Sequence, residues 1–169
     1  MVKMKVKVVG LDQSTMVPVV VITDLEERGF IPIMIGAAEA NAINQGLDGQ
    51  KPVRPLTHDL LLNMLTALNA RLDRVVISDL REDTYYAHIY VKTDAQEHEI
   101  DCRPSDALAL AIRAGCPIYI SEVVAKKALI TNKAPEADSP KPIDDDEIAA
   151  FRRFLDDATP DDFLKNLQG

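Results

Sequence analysis

The chain lacks the features that mark secreted, disulfide-rich and membrane-spanning proteins. Its 169 residues include no tryptophan and two cysteines, and aromatic residues make up 5%. Cys102 and Cys116 are too few for a disulfide scaffold, and their spacing matches no metal-binding motif. There is no apolar run long enough for a transmembrane helix, and Lys3, Lys5 and Lys7 interrupt the start, unlike a signal peptide. These absences predict a reduced, cytoplasmic protein that does not contact membranes.

Basic residues are in the minority, and acidic residues are concentrated near the end of the chain. The net charge is −8, and residues 135–169 hold ten acidic and four basic residues, so they carry −6 of it. An acidic chain repels phosphate backbones, so strong non-specific nucleic-acid binding is not expected. With 47% hydrophobic residues the chain can still bury a core. We predict one domain over 1–131, a proline-containing linker over 132–142 and an acidic helical tail over 143–169.

Hydrophobic periodicity predicts two successive groups of three strands, each followed by helices. The predicted strands are 2–8, 17–23, 29–35, 75–80, 84–92, 97–102 and a short one at 117–120. Three predicted helices are 36–44, ended by Gly46, then 105–114, ended by Gly115, and a short one from Ser121 to about residue 128. The fourth begins with Thr57 as its N-cap. Its apolar face is formed by Leu61, Met64, Leu65, Leu68 and Leu72.

Both halves therefore have nearly the same predicted order, which indicates an internal duplication. Laid over each other at an offset of 67 residues, Glu39 and Asp106 occupy equivalent places in the first turn of equivalent helices. We predict an α+β fold, a curved, mostly antiparallel sheet with helices, built from pseudo-duplicated β-β-β-α-α halves.

Two polar clusters lie where predicted helices begin. They read DCRPSDA at 101–107 and RPLTHD at 54–59. The first turn of a helix has free N–H donors and the positive end of the helix dipole, so such junctions favour anions. We interpret the two clusters as a functional site, although they do not by themselves name a reaction.

In order and spacing, these clusters resemble those of the bifunctional nuclease domain family. The resemblance also rests on IPIMIGAAEA at 31–40 and GCPIY at 115–119, and it covers roughly residues 3–130. Met34 is a departure, because the family usually carries tryptophan there, and it removes a surface on which a base can stack. The resemblance implies DNase and RNase activity, and it brings no settled catalytic mechanism with it.

A nuclease needs an activated water, stabilisation of charge on the phosphate and a proton for the leaving oxygen. Carboxylates can hold Mg²⁺ or Mn²⁺, histidine can transfer protons near neutral pH, and guanidinium groups bind phosphate through two donors. The catalytic candidates are Glu39, His58, Asp59, Asp101 and Asp106. The substrate-binding candidates are Arg54, Arg103 and Ser105. The candidates for a Mg or Mn site are Glu39, Asp101 and Asp106.

Several candidates also have a purely structural interpretation. Asp59 and Asp106 can simply stabilise helix N-termini, by about 0.3–1 kcal/mol each. His58 can be exposed or structural, and Ser105 can be an N-cap.

The charged pairs leave further alternatives open. Arg103 can form an ion pair with Asp101 that fixes the strand-to-helix junction. Glu39 lies in an alanine-rich helix, which suggests close packing, so its carboxylate needs a partner, and either Arg54 or Arg103 would serve.

Two functional hypotheses follow. The first is a nuclease that hydrolyses phosphodiester bonds in DNA or RNA, with or without a divalent metal. The second is a non-catalytic module that binds an anion or a protein, which the charge of −8 and the absence of a basic stripe favour. In either case, the expected sheet edges and the apolar face of the tail, with Phe151 and Phe154, predict a homodimer.

Overall fold

An eight-stranded sheet organises the part of the chain that the computed structural model describes, residues 1–50 and 52–131. Its strands are β1 (Val2–Leu11), β2 (Pro18–Asp24), β3 (Gly29–Met34), β4 (Arg71–Arg81), β5 (Thr84–Lys92), β6 (Glu97–Cys102), β7 (Ile118–Ile120) and β8 (Ile130–Thr131). The helices are α1 (Ala37–Leu47), α2 (Thr57–Ala67), α3 (Pro104–Ala114) and α4 (Glu122–Ala128). The predicted linker over 132–142 and helical tail over 143–169 lie outside the described residues.

The strand order is β6-β5-β4-β7-β1-β2-β3-β8. Neighbouring strands pair antiparallel except β4 and β7, which pair parallel with Val75 opposite Ile118. This confirms the predicted α+β class with a mostly antiparallel sheet. The two-residue edge strand β8 was not predicted, because it pairs only through Gly29 and Phe30 of β3 and is too short to show a period.

The core lies between the sheet and α3, which contacts α1, α2, β4 and β5. Side chains of a strand alternate between its two faces, so Ala87 and Val91 of β5 are buried while Tyr86 on the other face is exposed. Leu108 of α3 is fully buried. The outward-facing side chains of α3 are therefore carried by a helix whose inner face is packed in the core.

Several helix boundaries differ from the predictions, and α3 begins one residue earlier, at Pro104. Gly46 does not end the first helix, which continues to Leu47. A Cβ on Gly46 would lie 3.0 Å from Nη1 of Arg113, so glycine here allows close helix packing. Thr57 is the first helical residue of α2 and not its N-cap, a position that Leu56 takes. Gly115 (φ +66°) and the Ser121 cap, whose Oγ accepts from the N–H of Val124, are confirmed.

The predicted apolar face of α2 is not buried in the core. Leu72 belongs to β4, and no side chain of α2 is buried. The exposed large apolar residues are Leu60, Leu61, Met64 and Leu68, which we call the α2 stripe. The stripe therefore lies on the surface of the described part of the chain.

The two halves share the order of three strands followed by a helix, but β7 separates the two helices of the second half. The internal duplication stays a prediction. None of the helices described here is long and apolar enough to span a membrane.

Candidate functional site

Glu39 and Asp106 occupy matching positions at the starts of α1 and α3. Each is the third residue of its helix, after an extended N-cap residue, Gly36 in α1 and Arg103 in α3. Pro104, as the first residue of α3, fixes its backbone angle for the helix and has no N–H to leave unpaired. The two helices pack against each other, so both carboxylates come to one place.

Arg103 joins these two carboxylates. Its Nε and Nη2 donate to the two oxygens of Asp106, at 2.7 and 3.1 Å, and its Nη1 donates to Glu39 Oε1 at 2.8 Å. The hydrogen bonds with Asp106, and then those with Glu39, raise the pKa of Arg103 above its ordinary value. Glu39 therefore has the partner that its packing requires, and this partner is Arg103, not Arg54. The alternative pairing of Arg103 with Asp101 was wrong, because the i, i+3 spacing within α3 favours Asp106.

His58 completes the cluster from the start of α2. Its Nε2 lies 3.3 Å from Asp106 Oδ1, and its side chain is largely buried. Burial raises the pKa of Asp106, but the hydrogen bonds from Arg103 and His58 lower it by more, so the pKa lies below its ordinary value. Asp106 is thus an ionised acceptor at neutral pH that can orient the imidazole ring.

A second ion pair ties α2 to α3. Asp59 Oδ2 accepts from the N–H of Leu56 at 2.9 Å, which caps α2, and Asp59 Oδ1 accepts from Nε of Arg113 at 3.0 Å. Sequence reasoning missed Arg113. It lies seven residues after Asp106 on the same face of α3, and that spacing was the available signal.

A cavity of about 390 Å³ opens between α1, the start of α2 and α3. Its lining residues are Ala38, Glu39, Asn41, Ala42, Gln45, Leu56, Thr57, His58, Arg103, Asp106 and Arg113. The two polar clusters of the sequence therefore contribute to one site, and Glu39 belongs to it.

Three other candidates lie elsewhere or are inaccessible. The Asp101 side chain is 79% exposed and lies 3.9 Å from Nε2 of His88, on β5. Arg54 is exposed and makes no ion pair with another described residue. Ser105 is buried as the second residue of α3, so it is not the N-cap. Their functional roles stay predictions.

The candidate metal ligands are not assembled. Glu39 and Asp106 face the same cavity, but both bind Arg103, and Asp101 is directed to His88. Within residues 1–50 and 52–131, no group of three His, Cys, Asp or Glu side chains is placed to hold a metal ion. The described side chains therefore do not form a ready metal site.

Cys102 lies beside the site but is no nucleophile. Burial, and then the charges of Asp106 and Asp101, raise the pKa of its thiol to about 11. The thiol therefore stays protonated at neutral pH.

The fold and this cluster define an α+β domain with an acid, base and guanidinium site at its helix starts. Residues 20–133 match the bifunctional nuclease domain, and the chain belongs to that family. It is 37% identical over 162 residues to an uncharacterized protein of Mycobacterium tuberculosis, covering 94% of this chain and 97% of that protein. It is 24% identical over 99 residues to bifunctional nuclease 1 of Oryza sativa, covering 57% of this chain and 30% of the rice protein, and the bifunctional nuclease of Oryza minuta matches equally.

Proposed function

We propose that this protein is a nuclease that hydrolyses phosphodiester bonds in DNA or RNA. The observation that carries the proposal is the convergence of Glu39, His58, Arg103 and Asp106 on one cavity. Membership in the bifunctional nuclease domain family and the names of the rice relatives support it.

His58 is the proton-transfer group in this proposal. With Nε2 donating to Asp106, Nδ1 is the basic nitrogen that takes a proton from the attacking water or hydroxyl. As the new P–O bond forms, the P–O bond to the leaving oxygen breaks, and the protonated ring returns the proton to that oxygen. Arg103 binds the phosphate. The Arg103 side chain is 65% exposed, so one edge of its guanidinium group can donate to a phosphate while the other edge stays bound to Asp106.

A divalent metal would supply water activation and charge stabilisation. Because the described side chains form no ready metal site, we route no step through a metal. Mg²⁺ or Mn²⁺ dependence stays a proposal for the assay to test.

The test is cleavage of labelled single-stranded RNA and double-stranded DNA by the purified full chain with Mg²⁺, with Mn²⁺ and with EDTA. We expect cleavage by the wild type and its loss in a folded Arg103→Ala, Asp106→Ala double variant. Equal cleavage by both proteins would place the activity elsewhere or in a contaminant. The comparison with EDTA decides the metal requirement separately.

A non-catalytic module that binds an anion or a protein is the second candidate. The charge of −8 and the exposed α2 stripe favour it. No cleavage by either protein, with phosphate binding that depends on Arg103, would select this alternative.

We also propose that the chain forms a homodimer through the α2 stripe. No charged residue occurs from Leu60 to Ala70. A charge-free apolar face is complementary to a second copy of itself across a two-fold axis, and homodimer interfaces are apolar and poor in charge.

A further inference from the structure

Arg113 is a guanidinium group in the cavity wall that the roles above do not use. Its side chain is only 10% exposed. Nε donates to Asp59, and Nη1 donates to the carbonyl oxygen of Ala109. Among the described residues, no hydrogen bond uses Nη2 of Arg113, and the Arg113 side chain lines the cavity. Nη2 is therefore a donor available to a ligand that enters the cavity.

The cavity wall includes two further residues with amide side chains. Asn41 and Gln45, one turn apart on α1, both line it. Gly46 brings α1 directly against Arg113, since a Cβ there would lie 3.0 Å from Nη1. Asp59, the nearest carboxylate bound to Arg113, is already neutralised by it. This end suits an anionic group.

The reactive end of the cavity is held by a different guanidinium group. Arg103 binds Asp106 and Glu39, whereas Arg113 binds Asp59 and the carbonyl oxygen of Ala109. The two guanidinium groups share no partner, and they come from opposite ends of α3. The cavity therefore has places for two anionic groups, one beside His58 and Arg103 and one beside Arg113.

We propose that Arg113 binds the phosphate next to the one being cleaved, so that the substrate is a single-stranded nucleic acid running along α3. This inference rests on the proposed nuclease function. The cavity volume of about 390 Å³ is near the low end for a site that holds one drug-sized ligand, roughly 300–1,000 Å³. A site of this size suits one nucleotide unit of a single strand.

Binding of thymidine 3′,5′-bisphosphate and thymidine 5′-monophosphate, measured by calorimetry on the full chain, tests the second phosphate site without requiring cleavage. We expect the second phosphate to raise wild-type affinity by about 10-fold or more. Arg113→Lys removes most of this gain, because one ammonium group cannot reproduce the guanidinium fork. Arg28→Lys, on the β2–β3 turn, is the control and keeps the gain. Equal wild-type affinity for the two nucleotides would overturn the proposal.

Should Arg113→Lys destabilise the fold, Gly46→Ala provides a second variant. Its added methyl group presses on Nη1 of Arg113 without removing the charge. We expect a smaller gain from the second phosphate in this variant as well. An unchanged gain in both variants would also overturn the proposal.

Cleavage assays on two substrates test the Arg113 phosphate site separately from the nuclease activity. The two substrates are bis(p-nitrophenyl) phosphate, with one phosphodiester, and a single-stranded tetranucleotide. We expect Arg113→Lys to lower kcat/KM for the tetranucleotide by roughly 10–100-fold and to lower it several-fold less for the small substrate, which has no second phosphate. Equal losses on both would contradict the Arg113 site. No cleavage of either substrate, with the binding gain intact, would contradict the nuclease alone.

Discussion

At the scale of single residues, Arg103 holds the site together, because it binds carboxylates from two helices that are distant in sequence. The position of the Arg103 guanidinium group depends on the position of the Glu39 carboxylate. A Cβ on Gly36 would collide with the Glu39 carboxylate, so glycine at this position keeps that carboxylate in place. The backbone of Gly36 is extended (φ −78°) and open to alanine.

Gly36→Ala is therefore expected to move the Glu39 carboxylate while the protein stays folded. The colliding atom is the end of a flexible side chain, so the stability loss should stay within about 1 kcal/mol. Cleavage should fall by roughly 10-fold, because a displaced Glu39 no longer holds Arg103 where it binds the phosphate. Cleavage rate and thermal midpoint measure the two effects. Gly10→Ala, where an added Cβ meets nothing within 4 Å, is the control, and unchanged cleavage in Gly36→Ala would contradict the role of Glu39.

Asp106 gives the site a defined pH dependence of stability. Its pKa is lowered in the folded protein, so its stabilising effect is fully present above the ordinary aspartate pKa of about 4 and is lost as the pH falls through the lowered value. The difference in unfolding free energy between wild type and Asp106→Asn should be about 1 kcal/mol near pH 6 and shrink below pH 4. Urea unfolding across this range measures it. Asp94→Asn, in an exposed turn, is the control. A difference in unfolding free energy that grows as the pH falls would contradict a lowered pKa of Asp106.

The residue types of the site were predictable from sequence, but their partners were only partly so. The clusters identified His58, Arg103 and Asp106 because strand-to-helix junctions collect such groups. Arg113 was missed because it lies at the far end of its helix, outside both clusters. Which side chains meet depends on the packing of α1 and α2 against α3, and no local pattern contains that information.

At the scale of elements, α2 departs most from expectation. An apolar helix face normally packs into its own core, yet Leu68 is 71% exposed and Met64 is 52% exposed. The hydrophobic periodicity of the sequence identified α2 as a helix, but it could not show which surface packs against the apolar face of α2. Large exposed apolar patches are typical of interaction surfaces.

A homodimer through the α2 stripe predicts a concentration-dependent mass in sedimentation. Leu61→Glu should shift the full chain to monomer, by burying a charge at the interface. Leu25→Glu, an exposed leucine on the β2–β3 turn, should leave the mass unchanged. A monomeric wild type at all concentrations would rule the dimer out.

The bounds of strands that lie between two turns were predicted correctly, as for Thr84–Lys92 and Glu97–Cys102. Gly46 was misread as a helix end because glycine has two uses, the positive φ of a terminus and the close approach of two helices. The neighbours in three dimensions, Arg113 and Ile112, distinguish the two uses.

At the scale of the whole molecule, an acidic protein has to bind a polyanion through a few defined contacts. In the proposed complex Arg103 and Arg113 supply two phosphate contacts, so log K for a single-stranded oligonucleotide should fall with log salt at a slope of about −1.4. Affinity measured between 50 and 200 mM salt gives this slope. A slope steeper than about −4 would indicate an extended basic surface and contradict binding in the cavity.

The central claim is that the cavity holding His58 cleaves phosphodiester bonds. The most direct measurement compares single-turnover cleavage of a single-stranded oligonucleotide by wild type, His58→Gln and His98→Gln, the last an exposed histidine of β6. The account predicts a loss of roughly 100-fold or more in His58→Gln, because a proton-transfer group is removed, and a wild-type rate in His98→Gln. Equal rates in all three proteins would contradict it.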